Sequence, residues 1–148
     1  MISELEKKTQ RRGSCILWTG AISRGYGIIY VNGKNVLVHR YVWEQENGPI
    51  PKGMVVDHKE HCDTRCINTD HLRLATITQN VRHRSGANKN NRSTGVRNVS
   101  EHGNGRYRVE IWCSRKRYRY GPFGSVEEAE IVARQKRAEL FGEFSGKG

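Results

Sequence analysis

Long hydrophobic runs are missing from this chain of 148 residues. No stretch approaches the roughly 20 apolar residues that cross a bilayer, and no clean basic amphipathic helix is written to lie on one. A membrane partner is therefore excluded. The opening MISELEKKTQRRG lacks the apolar centre of a secretory leader, so an intracellular, cytoplasmic and reducing environment is expected. Apolar residues are scarce overall, at 35% with a mean hydropathy of −0.78, too few for one large core. Small modules bury a modest share of their surface and often need a staple. There are only four cysteines, Cys15, Cys62, Cys66 and Cys113, and in a reducing compartment clustered thiols hold metal more often than they form disulfides. No internal repeat is visible.

Acidic residues are also in short supply: 15 Asp and Glu stand against 26 Lys and Arg, a formal net charge of +11. Such an excess points to a polyanion, and with the membrane excluded that means nucleic acid. No small-molecule substrate is expected. Both halves are basic, and the composition changes at SGANKNNRS, residues 85–93, which has no apolar residue beyond alanine. This predicts two modules, 1–84 and 94–148, joined by a linker at 85–93.

In the first module, residues 1–12 read as a charged lead or short helix. Strand patterns at 25–31 and 35–39 flank Asn32-Gly33, the dipeptide of a tight hairpin. A short helix over 40–47 ends at Gly48-Pro-Ile-Pro. Met54 to Asp57 reads as a strand, His71 to Leu74 as its return, and Thr76 to His83 as a helix. Between those strands the chain turns polar. Cys62-x3-Cys66-x4-His71 has the ligand types and tight spacing of a tetrahedral zinc site, with Cys15 as the fourth ligand arriving from far upstream and His61 as its rival. Metal binding there would double as folding energy. Cys113, far from the cluster, reads as a small packing residue.

Asp57-His58 stands just before the cysteine loop, and Asn80 nine residues after His71. Phosphodiester hydrolysis needs a base for water and a cation to neutralise charge on the phosphate. A neutral imidazole serves the first role, and the side-chain oxygens of Asp57 and Asn80 suit a hard cation such as Mg2+ or Mn2+. Singly, each residue has a plainer explanation as a turn former or an exposed helix residue; it is the set that speaks.

That set, Cys15-x2-Trp18-x-Gly20, Gly25-Tyr-Gly27, His39-Arg40, Gly48-x-Ile50-Pro51, Asp57-His58 and Cys66-x-Asn68-x2-His71-Leu72 through Asn80, resembles the HNH nucleases of phages and mobile introns, in the ββα-metal (His-Me finger) superfamily. The resemblance implies His58 as general base, Asp57 and Asn80 around one catalytic divalent ion, and structural zinc on Cys15, Cys62, Cys66 and His71. His71 alternatively positions the base or the substrate. Products with a 3'-hydroxyl and a 5'-phosphate are implied. Arg73, Arg82 and Arg84 flank the site as candidate phosphate contacts.

From Lys89 to Arg119 nine basic residues face two acidic ones. Strand candidates at 95–100, 106–112 and 116–120 precede a helix from Val126 to about Phe141. In the middle strand Tyr107, Val109 and Ile111 alternate with Arg106, Arg108, Glu110 and Trp112, so one face would meet the helix and the other would carry charge and an indole. Arg97, Arg117 and Arg119 extend that row. A sheet with such a face can enter a DNA groove; the plainer alternative is that it only solubilises a small domain. Thr94-Gly-Val-Arg97, Gly105-Arg-Tyr-Arg-Val-Glu-Ile111, Tyr120-Gly-x-Phe123-Gly and Phe141-Gly-Glu-Phe144 resemble the DNA-binding domain of the plant ethylene-response factors, which implies major-groove reading by Arg97, Arg106, Arg108, Glu110, Trp112, Arg117 and Arg119.

The expected fold is thus α+β: a zinc-stabilised ββα-metal module plus a three-stranded antiparallel sheet packed on one helix. The expected function is a phage-type endonuclease cutting double-stranded DNA as a monomer, a dimer being the alternative oligomer. A non-catalytic, zinc-containing DNA-binding regulator is the rival reading, with RNA as a further possible target.

Overall fold

The computed structural model describes residues 5–59, 62–83 and 86–146. They fall into two compact units, Met1–Ile77 and Thr78–Gly148.

The first unit opens with a hairpin of β1 (Thr9–Arg12) and β2 (Cys15–Trp18). Residues 9–12, expected as part of a charged lead or short helix, are instead a strand, because β2 offers them a full antiparallel ladder from Thr9↔Trp18 to Arg12↔Cys15. A three-stranded sheet follows: β3 (Ile22–Ser23), β4 (Tyr26–Val31) and β5 (Lys34–Leu37). The β4–β5 turn is the expected one, with Asn32 (φ 48°) and Gly33 (φ 80°) both left-handed, as a tight hairpin of this twist requires. Helix α1 (Val38–Asn47) runs to Gly48, whose N–H closes the last turn on the Glu44 carbonyl at 3.0 Å. Trp18, Val38 and Ile67 form the core, with Leu5, Ile16, Ile29 and Val42 around them. Two glycines make room for the indole: a Cβ at Gly20 or Gly27 would lie 2.5 Å from Trp18 ring atoms. The Trp-x-Gly and Gly-Tyr-Gly motifs are therefore one packing arrangement.

Strands β6 (Met54–His58) and β7 (Leu72–Thr76) pair antiparallel from Met54↔Thr76 to His58↔Leu72. Helix α2 (Ile77–Arg82) begins at the residue after β7, so the chain runs in ββα order, and from Thr78 onward the helix belongs to the second unit.

The second unit holds a three-stranded antiparallel sheet of β8 (Val99–Glu101), β9 (Tyr107–Cys113) and β10 (Lys116–Phe123), with β9 central. Helix α3 (Val126–Phe141) covers one face. Val99, Val109, Ile111, Ala129 and Ala133 are buried between sheet and helix, following the alternation expected for β9. Ser125 caps α3, its hydroxyl accepting from the Glu128 N–H at 3.1 Å, while the Glu128 carboxylate accepts from the Gly124 N–H at 3.0 Å; such caps contribute about 1 kcal/mol. Pro122 sits where the β9–β10 register breaks between Tyr120 and Phe123, on an edge strand that tolerates a missing N–H. Residues 86–93 have no apolar side chain beyond Ala87, yet the segment is tied in at Asn91, whose amide donates to the carbonyls of Val96 (2.7 Å) and Val99 (2.8 Å).

Candidate active site and metal centre

The cysteine loop between β6 and β7 lies against β2. Ile67 N–H donates to Ile16 O at 2.8 Å, Trp18 N–H to Arg65 O at 2.9 Å, and the Asn68 amide to Ser14 O at 2.8 Å. This docking brings Cys15, at the start of β2, to the loop. Cys15, Cys62, Cys66 and His71 place their ligand atoms within 4.8 Å of one another. The Cys15 and Cys62 sulfurs are 3.7 Å apart, and His71 Nδ1 lies 3.5, 3.6 and 3.6 Å from the sulfurs of Cys15, Cys62 and Cys66. A tetrahedral ion bonded at about 2.3 Å to sulfur and about 2.05 Å to nitrogen separates its ligands by about 3.8 Å (S–S) and about 3.6 Å (S–N). The Cys15–Cys62 separation and the three distances to His71 Nδ1 match those such an ion needs. Burial, reinforced by the neighbouring thiols of Cys66 and Cys15, pushes the Cys62 thiol well up from its ordinary range; a bound cation reverses that balance by stabilising thiolate. His71 therefore sits in the cluster, and His61, the rival ligand, lies outside the described residues, as does Arg84.

Cys66 also faces the other way. His58, at the end of β6 and only 7% exposed, has its Nε2 2.9 Å from the Cys66 carbonyl oxygen. A carbonyl only accepts, so Nε2 carries the proton and Nδ1 keeps its lone pair. Burial holds the His58 pKa below the ordinary histidine value, opposed by the Cys66 carbonyl and the Asp57 carboxylate. Neutral imidazole is accordingly the resting form near pH 7.

A second imidazole supports the first. His39, in the first turn of α1, lies with its ring centre 4.8 Å from that of His58 and 5.5 Å from Tyr26. It is 4% exposed, and its Nδ1 is buried without a hydrogen-bond partner. Burial, then the nearby His58 and Arg40, lower its pKa to about 3. In the sequence His39 stands out only through the His39-Arg40 pair. Its position directly after an apolar strand, on the inward face of a short helix, was the available signal.

Asp57 is buried beside His58, and both Nε and Nη2 of Arg73 donate to its Oδ2 at 3.2 Å. Arg73, expected to meet phosphate, is thus engaged with a carboxylate; a buried carboxylate this close draws a guanidinium in preference to solvent. Asn80 is exposed on α2. Arg82, another expected phosphate contact, lies with its guanidinium 5.0 Å above the Phe141 ring.

On the sheet of the second unit, Arg108, Glu110 and Trp112 share the face opposite α3 with their cross-strand neighbours Ser100, Arg119 and Arg117. Arg119 Nε donates to Glu110 at 2.9 Å, Arg117 stands 3.9 Å from the same oxygen, and the Arg117 guanidinium lies 5.3 Å above the indole of Trp112. Trp112 is 59% exposed. Arg108 Nε is buried without a partner, and Arg106 is exposed at the mouth of β9. Arg97 does not belong to this row. It is 6% exposed and donates to the carbonyls of Ser145 and Arg82. A guanidinium's five donors suit it to such internal carbonyls as well as to DNA, so residue type alone could not separate the two.

Residues 36–82, from β5 through α2, match a family model described as HNH endonuclease. Over this stretch the chain is similar to HNH endonucleases. Protein 7.7 of Escherichia phage T7 is 50% identical over 68 residues, which cover 45% of this chain and 51% of the phage protein. A protein of Acanthamoeba polyphaga mimivirus, named as an uncharacterized HNH endonuclease, is 31% identical over 122 residues, 82% of this chain and 61% of its own. The gene 5.3 protein of Enterobacteria phage T3 is 50% identical over 40 residues, 26% of this chain and 38% of that protein. The chain therefore matches between 38% and 61% of the length of these curated relatives. No solved structure matches it. The HNH match ends at residue 82, before β8, so the basic sheet of the second unit lies outside it. Among the described residues, no helix is long and apolar enough to cross a membrane.

Proposed function

We propose that the protein is a divalent-metal-dependent DNA endonuclease, in which the HNH module hydrolyses phosphodiester bonds to 3'-hydroxyl and 5'-phosphate ends and the second unit supplies affinity and site bias. The observation that carries this reading is the fixed tautomer of His58. Its Nε2–H is committed to the Cys66 carbonyl, so Nδ1 is the basic atom and accepts the proton of an attacking water. Because burial keeps the ring neutral, the base is ready near neutral pH. Asp57, next to it in β6, and Asn80, on the helix that follows β7, would hold a single Mg2+ or Mn2+ through a carboxylate and an amide oxygen, both hard donors. When bound, that cation neutralises charge on the phosphate and on the departing oxygen. The ion in the Cys15, Cys62, Cys66 and His71 cluster is assigned as zinc, which suits a closed set of three thiolates and one imidazole; its role is to fix the loop whose carbonyl orients His58.

The second unit would grip duplex DNA with Arg106, Arg108, Trp112, Arg117 and Arg119. Glu110 would tune the face by competing with phosphate for Arg117 and Arg119. The HNH match and the phage relatives support DNA as substrate and a phage-encoded protein in its host as the setting. The reading is tested by His58→Ala in parallel cleavage and gel-shift measurements: nicking of supercoiled plasmid in Mg2+ should disappear while duplex affinity stays within about twofold. A folded wild-type protein that binds DNA but never nicks it would favour the non-catalytic regulator.

A further inference from the structure

The short helix that carries Asn80 is fastened by one buried guanidinium. Helix α2 has six residues, too few to hold itself together, since isolated helices need about 12–15 residues to be even marginal. Its last carbonyls have no partners within the helix. Arg97 takes one of them: its Nη2 donates to Arg82 O while its Nη1 donates to Ser145 O at 3.0 Å. A cation at a helix C-terminus is favourable on electrostatic grounds as well. Two ring contacts seat the same end. The Arg82 guanidinium lies over Phe141, and the His83 ring meets Phe144 edge-on at 6.5 Å.

The clamp is itself anchored. Arg137, 1% exposed on the inner face of α3, donates through Nη1 to Arg97 O at 3.1 Å and approaches Asn98 Oδ1 at 3.5 Å. Asn98 is then bonded into β9, its amide donating to Glu110 O at 2.9 Å and its carbonyl accepting from Glu110 N–H at 2.9 Å. An unbroken set of hydrogen bonds thus runs from the end of α2 to Glu110, whose side chain belongs to the basic face. Arg97, 6% exposed, thus commits two of its donors inside the protein.

We propose that Arg97 is a positioning residue for the nuclease reaction: within the second unit, to which residues 78–82 of α2 belong, it holds the last turn of that helix and with it Asn80. This rests on the reading of Asn80 as a ligand of the catalytic cation. Asn80 is two residues before Arg82, and a loosened last turn of so short a helix leaves no second turn to hold the amide in place.

The test compares Arg97→Gln with the full-length wild type and Asn80→Ala. Mn2+ affinity is read directly by electron paramagnetic resonance of the free ion, α2 by hydrogen exchange at the His83 amide, which donates to Gln79 O, and duplex affinity by gel shift. Arg97→Gln should weaken Mn2+ binding about tenfold, speed His83 exchange at least tenfold, lower kcat by a similar factor and leave duplex affinity and KM within about twofold. Phe141→Leu, which loosens the seat of Arg82 without touching Arg97, should shift the same readouts in the same direction and serves if Arg97→Gln does not fold. Unchanged Mn2+ affinity and His83 exchange in a folded variant would overturn the proposal. So would a loss of duplex affinity with a shallower salt slope, which is the mark of a phosphate contact. If the wild type nicks DNA and Asn80→Ala does not, while Arg97→Gln matches wild type, only this inference fails. If the wild type never nicks, the reading beneath it fails too.

Discussion

Stripping metal from the Cys15, Cys62, Cys66 and His71 cluster should disable His58, the proposed base, without touching it. Fixing the eleven described residues of the 59–71 loop costs about 11 kcal/mol at roughly 1 kcal/mol of backbone entropy per residue. Against this stand four side-chain or backbone ties from the loop to β2 and its neighbours: Ile67 to Ile16, Trp18 to Arg65, Asn68 to Ser14, and Thr64 to Gly25 at 2.7 Å. At about 1 kcal/mol net each, with about 2 kcal/mol for burying Ile67, they return about 6 kcal/mol. The shortfall of about 5 kcal/mol is well within the roughly 10–16 kcal/mol that a structural zinc site supplies in small peptides at pH 7. A zinc-selective chelator applied in excess Mg2+ should therefore release the loop, and with it the Cys66 carbonyl that fixes His58. Metal content followed by mass spectrometry, Trp18 followed by near-ultraviolet circular dichroism, and the His58 ring nitrogens followed by 15N NMR should change together, with plasmid nicking lost in step. Full nicking and an unchanged His58 spectrum after stoichiometric loss of the ion would refute the reasoning.

Two further outcomes are expected. His39 has its folded-state pKa lowered to about 3 from 6.5, so between those values the unfolded chain binds the extra proton. The stability His39 contributes is complete above pH 6.5 and is lost as pH falls towards 3, by about 1.4 kcal/mol per pH unit for a single group. Between pH 6.5 and 4, His39→Phe should show a shallower loss of urea midpoint than wild type; parallel curves would count against it. Glu110 holds Arg119 and Arg117 on the basic face, so Glu110→Gln should tighten non-specific duplex binding several-fold and steepen its salt dependence, measured by fluorescence anisotropy. Weaker binding would mean that the pairing orders the face for contact and does not compete with it.

Much of this was legible from residue order. Asn32-Gly33 fixed a turn, the alternation in β9 separated a buried face from a charged one, and Cys62, Cys66 and His71 announced a cluster through spacing alone. Cys15 could be assigned from 47 residues away only because a closed site needs a fourth ligand. The arginines were not separable. Arg73 ends on a carboxylate, Arg82 on an aromatic ring and Arg97 on two carbonyls, whereas Arg117 and Arg119 stay on the surface face. All are the same residue in a basic chain, and burial decides between them only after folding. Strand β1 was hidden for a related reason: its charged sequence has no pattern of its own and takes its conformation from β2. Arg137, on the face of α3 that periodicity assigns to the core, broke the rule that a charged residue faces solvent because Arg97 and Asn98 receive it.

Cys66 has an unusual consequence for variation at its own position. Every residue type brings a main-chain oxygen, so no substitution there can delete the acceptor that sets the His58 tautomer. Exchanging the side chain acts instead on the sulfur corner of the cluster, and so on how firmly the loop that carries this oxygen is held. The orientation of the His58 ring is thus inherited through the course of the backbone, and variation at Cys66 reaches it only by loosening or tightening the loop.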